Sequence, residues 1–154
     1  MSKSKAAQIV HEEMKSGTNC CQAVLVAASK MWDISLDPDL MAAAGLFGRG
    51  IGSGCTCGAL TGMVMAAGIM NRYHPHPAGS KLPRHLHDRF KTTFGATCCR
   101  VIRKKRPLIQ NIGNGACIEL TSKTAEILLA EWGGVRGAGS AESVPDFNNH
   151  SNLE

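Results

Sequence analysis

The sequence predicts an all-α protein, a compact bundle of about six or seven helices with a glycine-rich loop before a buried central helix. Aromatic residues make up only 5% of the 154-residue chain, whereas hydrophobic residues, rich in Ala, Leu and Met, make up 44%. Strands favour β-branched and aromatic residues, so this composition favours helices that pack through small side chains. Apolar residues also recur at helical spacing between residues that start or stop helices.

The first three helices are predicted from their ends. Gly17 stops the first helix, and Asn19 with Gln22 three positions later has the pattern of a capping box at the start of the second. Asp37 followed by Pro38 is an N-cap with proline at the first helical position, which predicts the start of the third. The predicted ranges are 5–15, 20–31 and 38–46.

The central helix is predicted from a change in composition. Residues 45–54 carry glycine at about every second position, which a stable helix does not tolerate. Residues 57–70 are then apolar or small, so we expect this fourth helix to be buried nearly all round. Gly58 and Gly62, four residues apart, would let another backbone approach it. Three further helices are predicted over 84–93, from Cys98 onward, and over 116–132.

The chain length fits one ordinary domain. We predict a single cysteine-rich helical domain over residues 1–134 and a flexible polar tail over 135–154, where apolar periodicity is lost. The first residues have no apolar segment of an export signal, and no run reaches membrane-spanning length. We therefore expect a cytoplasmic protein that does not associate with membranes.

The formal net charge of +5 arises partly from Arg100 and from the basic run at 103–106. Such a run suits a solvated helix end, where cations complement the helix dipole. It would also suit a docking patch for an acidic partner or for nucleic acid. No aromatic residue interleaves the run, which favours the solvated helix end, and we expect no nucleic-acid binding.

Seven cysteines are many for a chain of this length, and the odd number does not fit a fully paired disulfide framework. In a cytoplasmic protein, such thiols more often serve metal or redox chemistry than structural bridges. The sequence contains no C-x-x-C. That absence argues against the thioredoxin motif, the usual zinc-ribbon spacing and the bacterial ferredoxin run.

Four cysteines each fall in the first turn of a predicted helix, after a cap or a helix breaker: Cys20, Cys57, Cys99 and Cys117. A helix N-terminus offers free N–H groups and a partial positive charge, which lower the pKa of a thiol. If the four ends face one another, they would form a pocket for an anionic, sulfur-ligated centre such as an iron–sulfur cluster. Cys21, Cys55 and Cys98 stand close enough to compete for the same role, or they belong to the core.

Four sequence elements in order resemble a known family. They are the segment NCCQAVL at 19–25, the element CGALTG at 57–62, Phe94-Gly95 followed by Cys99-Arg100, and Cys117 opening the last helix. Together they resemble the redox-active protein family defined by the C…CGAxxG…C…C cysteine pattern, over roughly residues 5–132.

The resemblance implies a bacterial or archaeal protein that binds a metal or prosthetic group or forms mixed disulfides. It assigns the four family cysteines to Cys20, Cys57, Cys99 and Cys117. A distant similarity to the cluster-bearing part of split-Soret cytochromes favours an iron–sulfur cluster. The additional cysteines Cys21, Cys55 and Cys98 depart from the family pattern and would enlarge the ligand set or exchange disulfides beside it.

Three hypotheses therefore stand. The first is a redox-active protein that binds an iron–sulfur cluster through thiolates at helix N-termini, for electron transfer. The second is a metal-free thiol–disulfide redox protein, and the third is a zinc-binding or metal-carrier protein. We also expect a redox partner protein. A homodimer is plausible because an apolar surface on the fourth helix would favour association.

Overall fold

Seven α-helices form the part of the chain that the structure, a computed structural model, describes, which is residues 3–133. They are α1 (Lys5–Ser16), α2 (Cys20–Trp32), α3 (Pro38–Ala44), α4 (Gly58–Tyr73), α5 (Leu82–Phe94), α6 (Cys99–Lys105) and α7 (Gly115–Glu131). An irregular turn with left-handed backbone angles (Gly50–Gly54) and two 3₁₀ turns (Gly79–Lys81 and Leu108–Asn111) lie between them. Residues 3–133 contain no strand, so the predicted all-α class is confirmed. The predicted tail at 135–154 lies outside the described residues.

The predicted caps of the first three helices are confirmed. Gly17 ends α1 in the left-handed region with φ of 111°. The Asn19 side chain accepts a hydrogen bond from the Gln22 amide at 2.9 Å, and the Gln22 side chain accepts one from the Asn19 amide at 3.1 Å. Asp37 caps α3 by accepting a hydrogen bond from the Asp39 amide. These bonds satisfy N–H groups that a helix start leaves without partners.

Several helix boundaries differ from the predicted ones. The third helix ends at Ala44 rather than 46, where the glycine-rich segment begins. The fifth begins at Leu82 rather than 84, because Pro83 lies in its first turn, where a missing N–H costs no helical hydrogen bond. The sixth begins at Cys99 rather than Cys98, and the fourth continues to Tyr73.

α2 and α4 form the centre of the bundle. α2 packs against α4, α1 and α7, and α4 also contacts α5. α2 and α4 approach each other closely at Gly62, because a Cβ at this position would lie 2.6 Å from the Cys21 carbonyl oxygen. Eight of the sixteen residues of α4 are buried, whereas Gly68 and Arg72 are exposed, so the helix is less fully buried than the predicted burial nearly all round. Among the described residues, no helix combines the length and apolar character needed to cross a membrane.

Candidate metal centre

A cavity of about 450 Å³ lies where the N-termini of four helices meet. Its lining includes the four thiols predicted from the sequence, Cys20, Cys57, Cys99 and Cys117. Cys20 is the first residue of α2 and Cys99 the first of α6, Cys57 immediately precedes α4, and Cys117 lies in the first turn of α7. The structure therefore brings together four cysteines that are up to about a hundred residues apart in sequence.

A short antiparallel bridge between Thr56 and Cys98 joins the segment that carries Cys57 to the segment that carries Cys99. The Cys57 amide donates to the Thr97 carbonyl at 2.8 Å, and the Cys99 amide donates to the Cys55 carbonyl at 2.6 Å. The two cysteine-containing segments are thus fixed in register by backbone hydrogen bonds. No sequence pattern indicates this bridge, because a single pair of residues has no alternation of apolar and polar side chains.

The other three cysteines do not line the cavity. Cys21 is fully buried, with its thiol 3.7 Å from the Met65 sulfur. Cys55 is exposed to solvent. The Cys98 thiol donates a hydrogen bond to the Gly54 carbonyl at 3.0 Å. Each of the three therefore has surroundings separate from the shared cavity.

Gly58, the first residue of α4, allows the Cys20 thiol to lie against this helix. A Cβ at this position would be 2.4 Å from the Cys20 sulfur and 2.7 Å from the Phe47 carbonyl oxygen. Real Cβ atoms do not approach other atoms so closely, so any larger residue would displace the thiol, the backbone or both. The glycine of the C-G-A-x-x-G element thus has a direct packing role beside the cavity.

A left-handed turn covers one edge of the cavity. The four consecutive residues 49–52 all have positive φ. Two of them are not glycine: Arg49 has a φ of 55° and Ile51 a φ of 58°. Side chains other than glycine are disfavoured in this region by about 1–2 kcal/mol each. The turn directs the Arg49 amide at the Cys20 thiol, which accepts its hydrogen bond. Strain of this kind commonly concentrates at functional sites.

Cationic side chains also border the thiols. Arg49, Arg103 and Arg106 line the cavity, and no carboxylate from residues 3–133 lines it. The Arg106 guanidinium donates to the Cys117 sulfur at 3.4 Å. The basic run, which its pattern favours as a solvated helix end, thus contributes Arg103 and Arg106 to the cavity, whereas Arg49 is not among the residues predicted from sequence. A charged residue within the glycine-rich segment was the available signal, since Arg49 is the only one at 45–54.

Residues 18–131 match the protein family described as "Putative redox-active protein (C_GCAxxG_C_C)". The match covers well over half of the chain. The chain belongs to this family. Membership in a C_GCAxxG_C_C family described as redox-active supports a redox role for the protein. No significant match to a curated protein or to a solved structure was found.

The thiols at the helix N-termini of this C_GCAxxG_C_C protein were expected to have lowered pKa values, but the pKa values of Cys20, Cys57 and Cys99 are raised. Burial raises the pKa of Cys57 to about 12. Burial is also the largest cause of the raised pKa values of Cys20 and Cys99, and the negative charge of a neighbouring Cys117 thiolate adds to it. The Arg49 amide lowers the pKa of Cys20 by less than burial raises it. For Cys20, Cys57 and Cys99, desolvation therefore outweighs the helix N-termini, and the expected lowering of these three pKa values was wrong.

A histidine cluster at another part of the bundle has ligand-type atoms close together but is satisfied internally. His76, His85 and Glu131 offer ligand atoms within 4.8 Å of one another. The Ala78 amide donates to His76 Nδ1, so the neutral ring carries its proton on Nε2 and donates it to Glu131 at 3.2 Å. Arg89 also pairs with this carboxylate. The group is best described as a hydrogen-bonded network that joins α5 to the end of α7.

Proposed function

We propose that this protein binds an iron–sulfur cluster through Cys20, Cys57, Cys99 and Cys117 and serves in electron transfer. The observation that carries the proposal is the shared cavity, lined by one thiol from the start of each of four helices. Four thiolates are the usual ligand set of [2Fe–2S] and [4Fe–4S] clusters. Bound there, a cluster would supply reversible one-electron chemistry.

The size of the cavity supports a centre of several atoms rather than a single ion. A volume of about 450 Å³ corresponds to on the order of fifteen water molecules. Within residues 3–133, the only three ligand-type atoms that all lie within 4.8 Å of one another belong to the histidine cluster. Two sulfurs on one zinc ion lie at most about 4.6 Å apart, since each Zn–S bond is about 2.3 Å. The thiols are thus more widely spaced than a single zinc ion requires.

The protonation of the thiols favours a metal centre over metal-free disulfide exchange. Thiolate is the attacking species in exchange, and the raised pKa values of Cys20, Cys57 and Cys99 leave little of it at neutral pH. A bound metal replaces the thiol protons and keeps the ligands deprotonated. A site that is unfavourable for free thiolates is therefore compatible with metal-bound ones.

The residues around the thiols would stabilise the negative charge of a thiolate-ligated centre. Arg49, Arg103 and Arg106 place cations at the cavity wall, and among the residues that the structure describes no carboxylate lines that wall. The Arg49 amide and the Arg106 guanidinium hydrogen-bond the sulfurs of Cys20 and Cys117. Hydrogen bonds to ligand sulfurs and nearby positive charge are the levers by which proteins raise a cluster's reduction potential.

Metal and sulfide analysis of anaerobically prepared protein tests the proposal against both alternatives. We expect a brown protein that contains iron and acid-labile sulfide, either as isolated or after anaerobic reconstitution. Stoichiometric zinc without sulfide would instead support the zinc-binding or carrier function. A colourless protein, metal-free after reconstitution and able to form intramolecular disulfides, would replace the proposal with the thiol–disulfide function.

A further inference from the structure

A second concave surface adjoins the thiol cavity. This basic groove has a volume of about 500 Å³ and is lined by five cationic side chains: Arg49, Arg100, Arg103, Lys104 and Arg106. Within the described part of the chain, no carboxylate lines the groove. Cys99 lines both the groove and the thiol cavity. A molecule held in the groove would therefore lie beside one of the four thiols.

The cations of the groove have no acidic partner within residues 3–133. Ion pairs in this part of the chain join other residues, as with Lys30 and Glu13 or Lys123 and Glu126. Arg100 donates instead to the Ser53 carbonyl at 2.9 Å. Unpaired cations that converge on one concave surface produce a positive potential, which attracts an anionic ligand over several ångströms.

Exposed aliphatic side chains line the groove or lie next to its lining residues in sequence. Leu108 lines the groove and is 87% exposed, and Ile109 and Ile112 beside it in sequence are 76% and 79% exposed. Ile51, which precedes groove-lining Gly52, is 52% exposed. Large aliphatic side chains left exposed near a charged groove are typical of surfaces that bind another macromolecule. A small anion would neutralise the cations but would leave these side chains in water.

We propose that the groove and its aliphatic border form the docking surface for an acidic protein that carries electrons. This inference rests on the proposed electron-transfer function. It specifies the chemistry of the partner's surface, which would carry carboxylates around an apolar patch. A protein partner matches both the charge and the aliphatic residues. A second copy of this chain fits poorly, because an isologous contact would bring the same five cations together.

Binding of an acidic flavodoxin, used as the probe, tests this surface. The test variant is Arg100→Glu with Lys104→Glu, because both residues line the groove and neither lines the thiol cavity. The control variant, Arg84→Glu with Lys123→Glu, changes the net charge equally at exposed sites outside both cavities. At low salt we expect the test variant to bind about tenfold more weakly and the control within about twofold of the unsubstituted protein. Circular dichroism of both variants checks that each one folds.

Carbodiimide cross-linking gives a second readout that does not depend on substitutions. We expect the links between the probe's carboxylates and this protein to include Lys104 and to leave Lys123 unlinked. Equal binding by both variants, links confined to other faces, or self-association with no probe binding would each overturn the docking proposal. Binding of the probe to the groove does not require a metal. The metal content of the same samples therefore distinguishes a failure of the docking proposal from a failure of the cluster proposal. Loaded protein that fails to bind contradicts docking alone, whereas colourless protein that binds contradicts the cluster alone.

Discussion

Replacing Cys99 with serine is expected to remove most of the iron and sulfide that the unsubstituted protein binds. The serine hydroxyl stays protonated at neutral pH and is a poor ligand, so one of the four sulfurs at the cavity is lost. We expect iron and acid-labile sulfide to fall by at least about tenfold, in line with losses seen when metal sites are perturbed. Colorimetric iron and sulfide assays on anaerobically purified protein measure the effect.

The matched control for this substitution is Cys98→Ser, one residue away. The Cys98 thiol lies outside the cavity and donates to the Gly54 carbonyl, a bond that a serine hydroxyl can also make. We expect this variant to keep its iron and sulfide. If the Cys98 variant loses iron and sulfide and the Cys99 variant keeps them, Cys98 is the ligand in place of Cys99. If both variants keep iron and sulfide, neither cysteine is a ligand.

The substitution Gly58→Ala is expected to disturb the site without removing any sulfur. The added methyl group would meet the Cys20 sulfur at 2.4 Å and the Phe47 carbonyl at 2.7 Å. Overpacking of this kind costs about 1–3 kcal/mol of unfolding free energy. Because the thiol has to move, we also expect weaker cluster binding. Denaturant unfolding of the metal-free chain and iron retention under chelator challenge measure the two effects separately.

Gly68→Ala is the control in the same helix. Gly68 is an exposed position of α4, and a Cβ there would have no neighbouring atom within 4 Å. Alanine is favoured over glycine inside a helix by up to about 1 kcal/mol, so this variant should be as stable as the unsubstituted chain or more so. Equal stability and equal iron retention for the two variants would show that the close contact at Gly58 is unimportant.

The helices and the four cavity thiols could be predicted because their signals are local. The capping pair of Asn19 and Gln22, the Asp37-Pro38 start and the terminal Gly17 are each encoded within a few residues. Once the helix boundaries are predicted, the position of each cysteine at the start of a helix follows directly. The resemblance to a cysteine-pattern family then selected the same four positions.

The remaining features depend on contacts between distant residues. The pairing of Thr56 with Cys98 sets the register of two cysteine-containing segments, and neither segment carries a strand pattern. The direction of the thiol pKa values depends on burial, which a helix-end interpretation does not include. Arg106 contacts Cys117 only because the end of α6 folds back toward the start of α7. A local pattern of charge cannot distinguish such an arginine from a solvated one.

Alkylation of the thiols, mapped by mass spectrometry before and after cluster removal, tests most directly whether the four cysteines act together. In anaerobically prepared, cluster-loaded protein, we predict that Cys20, Cys57, Cys99 and Cys117 are protected while Cys55 and Cys98 react. After removal of iron with a chelator, the four should become reactive together, whereas the buried Cys21 should remain unreactive in both states. Unchanged labelling of the four upon cluster removal, or protection of Cys55 or Cys98 in place of one of them, would contradict this account.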